Sequence, residues 1–155
     1  MKYVAHILGI IIVSSVFYLF MNYVEKDLVL SGYVIPPAGI LLSQWLDSFK
    51  FWASTGIFAS LTASLLWYII FQWIVKVNDS AISDKRIIWL SFFILPVIFI
   101  MLGIFYTKQA EAGSWVANLF YVLNGLFCYY FATALFSPSS FKYTPLWASK
   151  FRWWK

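Results

Sequence analysis

Residues 51–75 read FWASTGIFASLTASLLWYIIFQWIV, a run without a single Asp, Glu, Lys or Arg. A helix of about 20 apolar residues crosses the hydrocarbon core of a bilayer, so this run is long enough to span one. Small residues recur along it every four positions. Gly56, Ser60 and Ser64 form one row, and Thr55, Ala59 and Ala63 a second beside it. In lipid such rows let two helix backbones approach closely, and association follows from dispersion and interhelical hydrogen bonds. The run is expected to be a transmembrane helix that packs through this face, within its own bundle or against a second copy.

Three further runs share the same character: residues 3–24, 87–106 and 115–136 have no charged residue in their interiors. Across the chain 63% of residues are hydrophobic and 11% charged, with a mean hydropathy of +0.80. Soluble domains carry about 25% charged residues. A water-soluble fold of 155 residues leaves too much surface exposed to hide this much apolar area. The expected fold class is an all-α integral membrane protein. It forms a single four-helix transmembrane domain over residues 1–155, with a short amphipathic extracytoplasmic helix and an interfacial C-terminal segment. The connections 76–86 and 107–114 are short, which implies antiparallel neighbours and an up-down bundle. The first run is longer than the core of a signal peptide and lacks a small-residue cleavage site, so it reads as a retained helix.

Basic residues set the orientation. Lys2, Lys76, Lys85, Arg86, Lys142, Lys150, Arg152 and Lys155 fall on one side of the four runs, and Lys26, Lys50 and Lys108 on the other. Lys and Arg accumulate in cytoplasmic loops. The chain is therefore expected to be a multi-pass protein of the cell inner membrane with both termini in the cytoplasm. Trp52, Trp73, Trp89 and Trp115 stand at the ends of runs, where aromatic belts form, whereas Trp67 lies deeper and reads as a packing residue.

Two connections carry a pattern of their own. Ala38, Leu41, Leu42, Trp45, Leu46 and Phe49 share one helical face after Pro36-Pro37, which predicts an amphipathic helix over 37–50 on the outer membrane surface. The tail 137–155 combines Lys142, Trp147, Lys150, Arg152, Trp153, Trp154 and Lys155. Basic residues near anionic lipids contribute about 1 kcal/mol each. The tail is thus expected to anchor at the interface with membrane lipids as its partner, and no nucleic-acid binding is expected.

The remaining polar residues limit the chemistry. Asn118 and Asn124 lie within the fourth run and are expected to join helices through hydrogen bonds. Pro96 predicts a kink in the third. His6 reads as a solvated side chain near the cytoplasmic end of the first, and Cys128 as a small buried hydrophobe. No ionisable group is expected at depth, which argues against proton-coupled transport. One His and one Cys cannot build a metal site, and no nucleophile–base set or phosphate loop is present, so no catalytic, metal or cofactor-binding residue is expected. The expected function is that of a non-enzymatic small inner-membrane subunit that oligomerises or assembles with larger partners, as in secretion, conjugation, respiratory or phage-defence complexes. The alternative is a self-assembling channel or permeabilising effector.

Overall fold

The computed structural model describes residues 2–36, 38–70, 82–107, 114–136 and Pro145, without side chains for Lys2, Ile82 to Lys85 and Ser114. Every element among them is helical. Helix α1 covers residues 2–33: an α-helix over Lys2–Phe20, a π-helical turn over Met21–Glu25, one α-turn over Lys26–Leu28 and a second π-turn over Val29–Tyr33. Helix α2 is Leu42–Ile69 and α3 is Ile82–Tyr106. Helix α4 covers residues 114–136, with a π-turn over Leu123–Phe127 between α-helical Ser114–Val122 and Cys128–Phe136.

Among the described residues, three segments are long and apolar enough to cross a membrane: Tyr3–Tyr33, Arg86–Tyr106 and Trp115–Phe136. Helices satisfy their own backbone hydrogen bonds, which is why an apolar chain in lipid takes this form. Helix α2 is equally long but richer in hydroxyls. Its Thr55, Ser60, Thr62 and Ser64 each donate to the carbonyl four residues back, and Ser54 to that of Phe51.

Two expectations are corrected. The first helix does not end at Val24. It continues through Glu25, Lys26 and Asp27 to Gly32, whose φ of +84° breaks the helix in the left-handed conformation that glycine adopts freely. Three successive charges do not stop it because successive helical residues point about 100° apart. Glu25 turns inward, Lys26 is half-buried and Asp27 is exposed. The amphipathic helix expected over 37–50 is also not a separate element. Gly39, again at φ +84°, lies in a turn, and Leu41 is extended (ψ 139°). The helix starts at Leu42 and continues unbroken through the second apolar run. The apolar face of 42–50 is covered by protein: Trp45, Leu46 and Phe49 are buried.

Helix α2 packs against the other three, and α4 also packs against α1 and α3. The α2–α4 pair is thus the centre, with α1 and α3 flanking it. The core has two parts. One gathers Met21 and Val29 of α1 with Trp45, Phe49 and Ile57 of α2, Ile100 of α3 and Phe120 and Tyr121 of α4. The other joins Ile10, Ala63, Trp67, Tyr68, Trp89 and Tyr129. Gly9 sets the approach of α1 to α4: a Cβ there would collide with the Phe136 ring. Pro96 sits inside α3, where it removes one backbone donor.

Candidate functional site

The two small-residue rows of α2 turn into the chain. Gly56, Ala59, Ser60, Ala63 and Ser64 are buried, and Thr55 is half-buried with its hydroxyl on the Phe51 carbonyl at 2.7 Å. Ser60 of this face meets α4. Ser60 Oγ lies 2.8 Å from the Gly56 carbonyl and 2.7 Å from that of Gly125, in the π-turn of α4. Gly125 has no room for a side chain, since a Cβ would stand 2.5 Å from Ile100 Cδ1. A serine of α2, a glycine of α4 and an isoleucine of α3 therefore meet at one point.

Asn124, next to that glycine, is fully buried. Its Nδ2 donates to Glu25 Oε2 of α1 at 2.7 Å. Glu25 is itself fully buried, one helical turn from buried Met21 and from buried Val29. The site thus contains an ionisable residue that sequence reasoning placed outside the membrane. A signal was available. Met21, Glu25 and Val29 recur every four residues, so Glu25 falls in the middle of an apolar stripe. Its charged neighbours Lys26 and Asp27 obscured that stripe. Asn118 is not part of this cluster: it is half-buried, and its Oδ1 has no donor among the described residues.

Two aromatic networks were not foreseen. Trp89 Nε1 donates to Thr133 Oγ1 at 3.0 Å, and Tyr129 Oη to the Trp89 carbonyl at 2.9 Å, which binds α3 to α4. Trp89 is therefore buried against protein at the start of its run. Near the opposite end Trp45 Nε1 donates to the Thr107 carbonyl at 3.1 Å and Tyr121 Oη to Thr107 Oγ1 at 3.2 Å. Buried Trp and Tyr need such partners for their polar ends. His6 is not merely solvated, because its Nδ1 lies 3.1 Å from the Tyr68 hydroxyl. Trp67 is fully buried, as its depth in the run implied. Trp115 is exposed, and Trp52 stacks on Tyr106 with centroids 5.1 Å apart.

An apolar groove of about 270 Å³ separates α1 from α2, lined by Ile11, Ser14, Ser15, Tyr18, Ile57 and Phe58. Both serines donate to carbonyls of their own helix, so neither offers its hydroxyl hydrogen to a ligand in the groove. Among the described residues no three metal-ligating side chains come together. The tail residues Lys142, Trp147, Lys150, Arg152, Trp153, Trp154 and Lys155, like Trp73, lie outside the described residues. Comparison with known protein families, curated proteins and solved structures finds no match to this chain.

Proposed function

We propose that the chain is a non-enzymatic, four-span subunit of an inner-membrane assembly, with both termini cytoplasmic. One observation carries this reading. The groups best suited to bond a second copy or line a pore, namely Ser60, Ser64, Asn124 and Thr133, are fully buried and bonded within a single chain. The polar centre thereby fixes the monomer's own shape, and the outer faces of α1 and α3 are left to apolar side chains. A body of this kind suits a scaffold or anchoring part whose partners sit beside it in the membrane.

The fourth span is α2 together with the apolar residues 71–75 that follow it in sequence. At about 1.5 Å per residue its 28 residues extend about 42 Å, more than the roughly 30 Å hydrocarbon core. The hydroxyls of Thr55, Ser60, Thr62 and Ser64, each bonded to a carbonyl of the same helix, suit a lipid-buried element better than their number suggests. The bias of Lys and Arg supports the orientation.

Gentle-detergent purification with mass spectrometry of bound chains is the test. Co-purification of another polypeptide in fixed ratio is the expected result. The channel alternative predicts instead that the purified chain alone conducts in planar bilayers and that Asn124→Leu changes the current. Single cysteines at Ser80 and Ser114 test the topology: only the second should react with a reagent confined to the outside.

A further inference from the structure

Packing leaves one pair of side chains unexplained. Asn124 Nδ2 donates to Glu25 Oε2, yet Glu25 Oε1 and Asn124 Oδ1 are both buried and have no partner among the described residues. Two acceptors without a donor, belonging to side chains already bonded to each other, make an electrically poor arrangement. A carboxylate there holds a full charge with one amide hydrogen bond. A buried charge is ordinarily paired or multiply hydrogen-bonded.

Among the described residues the surroundings supply no cation. Met21 and Val29 flank Glu25 on α1, and Phe49 and Ala53 of α2, Ile100 of α3 and Phe120 of α4 belong to the same apolar cluster. Of the titratable groups nearby, Tyr121 interacts electrostatically with Glu25 but donates its hydroxyl to Thr107, and the Cys128 thiol is directed to Ser14 Oγ at 3.7 Å. Among charged residues, Lys26 and Asp27 occupy other faces of α1, half-buried and exposed. On α2, Asp47 is exposed and Lys50 half-buried. None of them forms an ion pair with Glu25 in the described structure.

We propose that Glu25 and Asn124 form a proton-binding site. The ligand is a proton carried on Glu25 Oε1 and donated to Asn124 Oδ1. One hydrogen then satisfies both orphan acceptors. The carboxylic acid and the amide exchange two hydrogen bonds head to head, N–H to Oε2 and O–H to Oδ1. A second observation bears on the same two residues. Glu25 closes the π-turn Met21–Glu25 and Asn124 lies in the π-turn Leu123–Phe127, so the bond joins a π-turn of α1 to one of α4. Such turns are rare and concentrate at functional positions. Release of the proton sets a carboxylate oxygen against an amide oxygen, and the two π-turns must part or admit water. The site therefore couples proton occupancy to the seating of α1 on α4, whatever partners the protein has.

Infrared spectroscopy of the purified full-length protein in lipid nanodiscs tests this. The wild type should show the carbonyl band of a protonated carboxylic acid at neutral pH. Glu25→Gln should abolish that band, Asn124→Leu should shift or abolish it, and alkaline titration should remove it reversibly. Glu25→Gln should also fold, because the glutamine Nε2 supplies the donor that the proton supplies. Since the second bond exists only while the proton is bound, the stability it adds is present at low pH and lost as pH rises through the titration. The wild-type melting temperature should therefore fall on alkalinisation relative to Glu25→Gln. Absence of the band in wild type, its persistence in Glu25→Gln, or failure of Glu25→Gln to fold would each overturn the proposal. So would a melting temperature that responds to sodium or potassium at fixed pH but not to pH.

Discussion

Helices α3 and α4 look alike as apolar runs, yet they occupy different environments. Only 22% of the Arg86–Tyr106 membrane window is buried inside the protein, against 50% for Trp115–Phe136. Helix α3 presents an outward stripe of Ile87, Leu90, Ile94, Ile98, Met101 and Phe105, all exposed. Helix α4 directs Asn124, Gly125, Cys128, Tyr129, Ala132 and Thr133 inward. In lipid the acyl chains are as apolar as leucine, so hydropathy does not decide which helix is central. Small residues that permit close approach decide it, together with polar groups that must find a partner.

The comparison breaks most easily at a fully buried aromatic of α4. Tyr129 is fully buried, stacks on Trp89 with centroids 5.4 Å apart and donates its hydroxyl across the α3–α4 contact. Tyr129→Ala should lower stability by about 3–5 kcal/mol, as large-to-small changes at packed aromatics do. On α3, Phe105→Ala should change it by less than about 0.5 kcal/mol, because Phe105 is 75% exposed. Reversible unfolding in mixed micelles measures both. Equal losses would mean that the two helices share one environment.

A smaller effect isolates the close approach. In Gly125→Ala the new methyl lies 2.5 and 2.8 Å from Ile100 Cδ1 and Cγ1, closer than carbon atoms tolerate. Overpacking typically costs about 1–3 kcal/mol, and alanine's better helix propensity returns at most about 1 kcal/mol, so the net change is destabilising. Combining it with Ile100→Ala removes the clashing atoms. A double-mutant cycle should then show favourable coupling, whereas additive losses would mean that Ile100 moves aside freely.

How much of this could be read beforehand differs by region for physical reasons. The apolar runs and the small-residue rows of α2 are local patterns, and periodicity exposes them directly. That α4 would supply the carbonyl for Ser60 depends on which helices become neighbours, and hydropathy carries no such information. Counting charge by position along the chain puts the end of α1 too early. In a helix, Glu25 and Asp27 face different directions, and the stop signal was Gly32 rather than the charged triplet. The start of α2 was misplaced because an apolar face reads alike whether lipid or protein covers it. Trp45 resolves the matter: it is buried, and its Nε1 is bonded to the Thr107 carbonyl.

A still smaller effect should appear at Thr133→Val, which keeps the shape but removes the acceptor of Trp89 Nε1. Hydrogen bonds between membrane helices average about 0.6 kcal/mol and reach roughly 1.7, so a loss of about 1 kcal/mol is expected, read by the same unfolding assay. A loss above about 3 kcal/mol would mean that the bare indole N–H is cut off from both water and alternative acceptors.

The smallest expected effect is the sharpest control. Ser91 lies on the exposed side of α3, and its hydroxyl returns to the Ile87 carbonyl at 3.0 Å. That bond links no second helix, and a hydroxyl folded back onto its own helix adds little to helix stability. Ser91→Ala should therefore stay within about 0.5 kcal/mol of wild type in the unfolding assay. Ser60→Ala makes the same chemical change on α2 but also removes the contact to Gly125, so it should lose more. The difference between the two serines separates interhelical bonding from hydroxyl content. If both variants unfold alike, the α2–α4 contact rests on the close packing at Gly125, and the serine hydroxyl merely fills the space beside it.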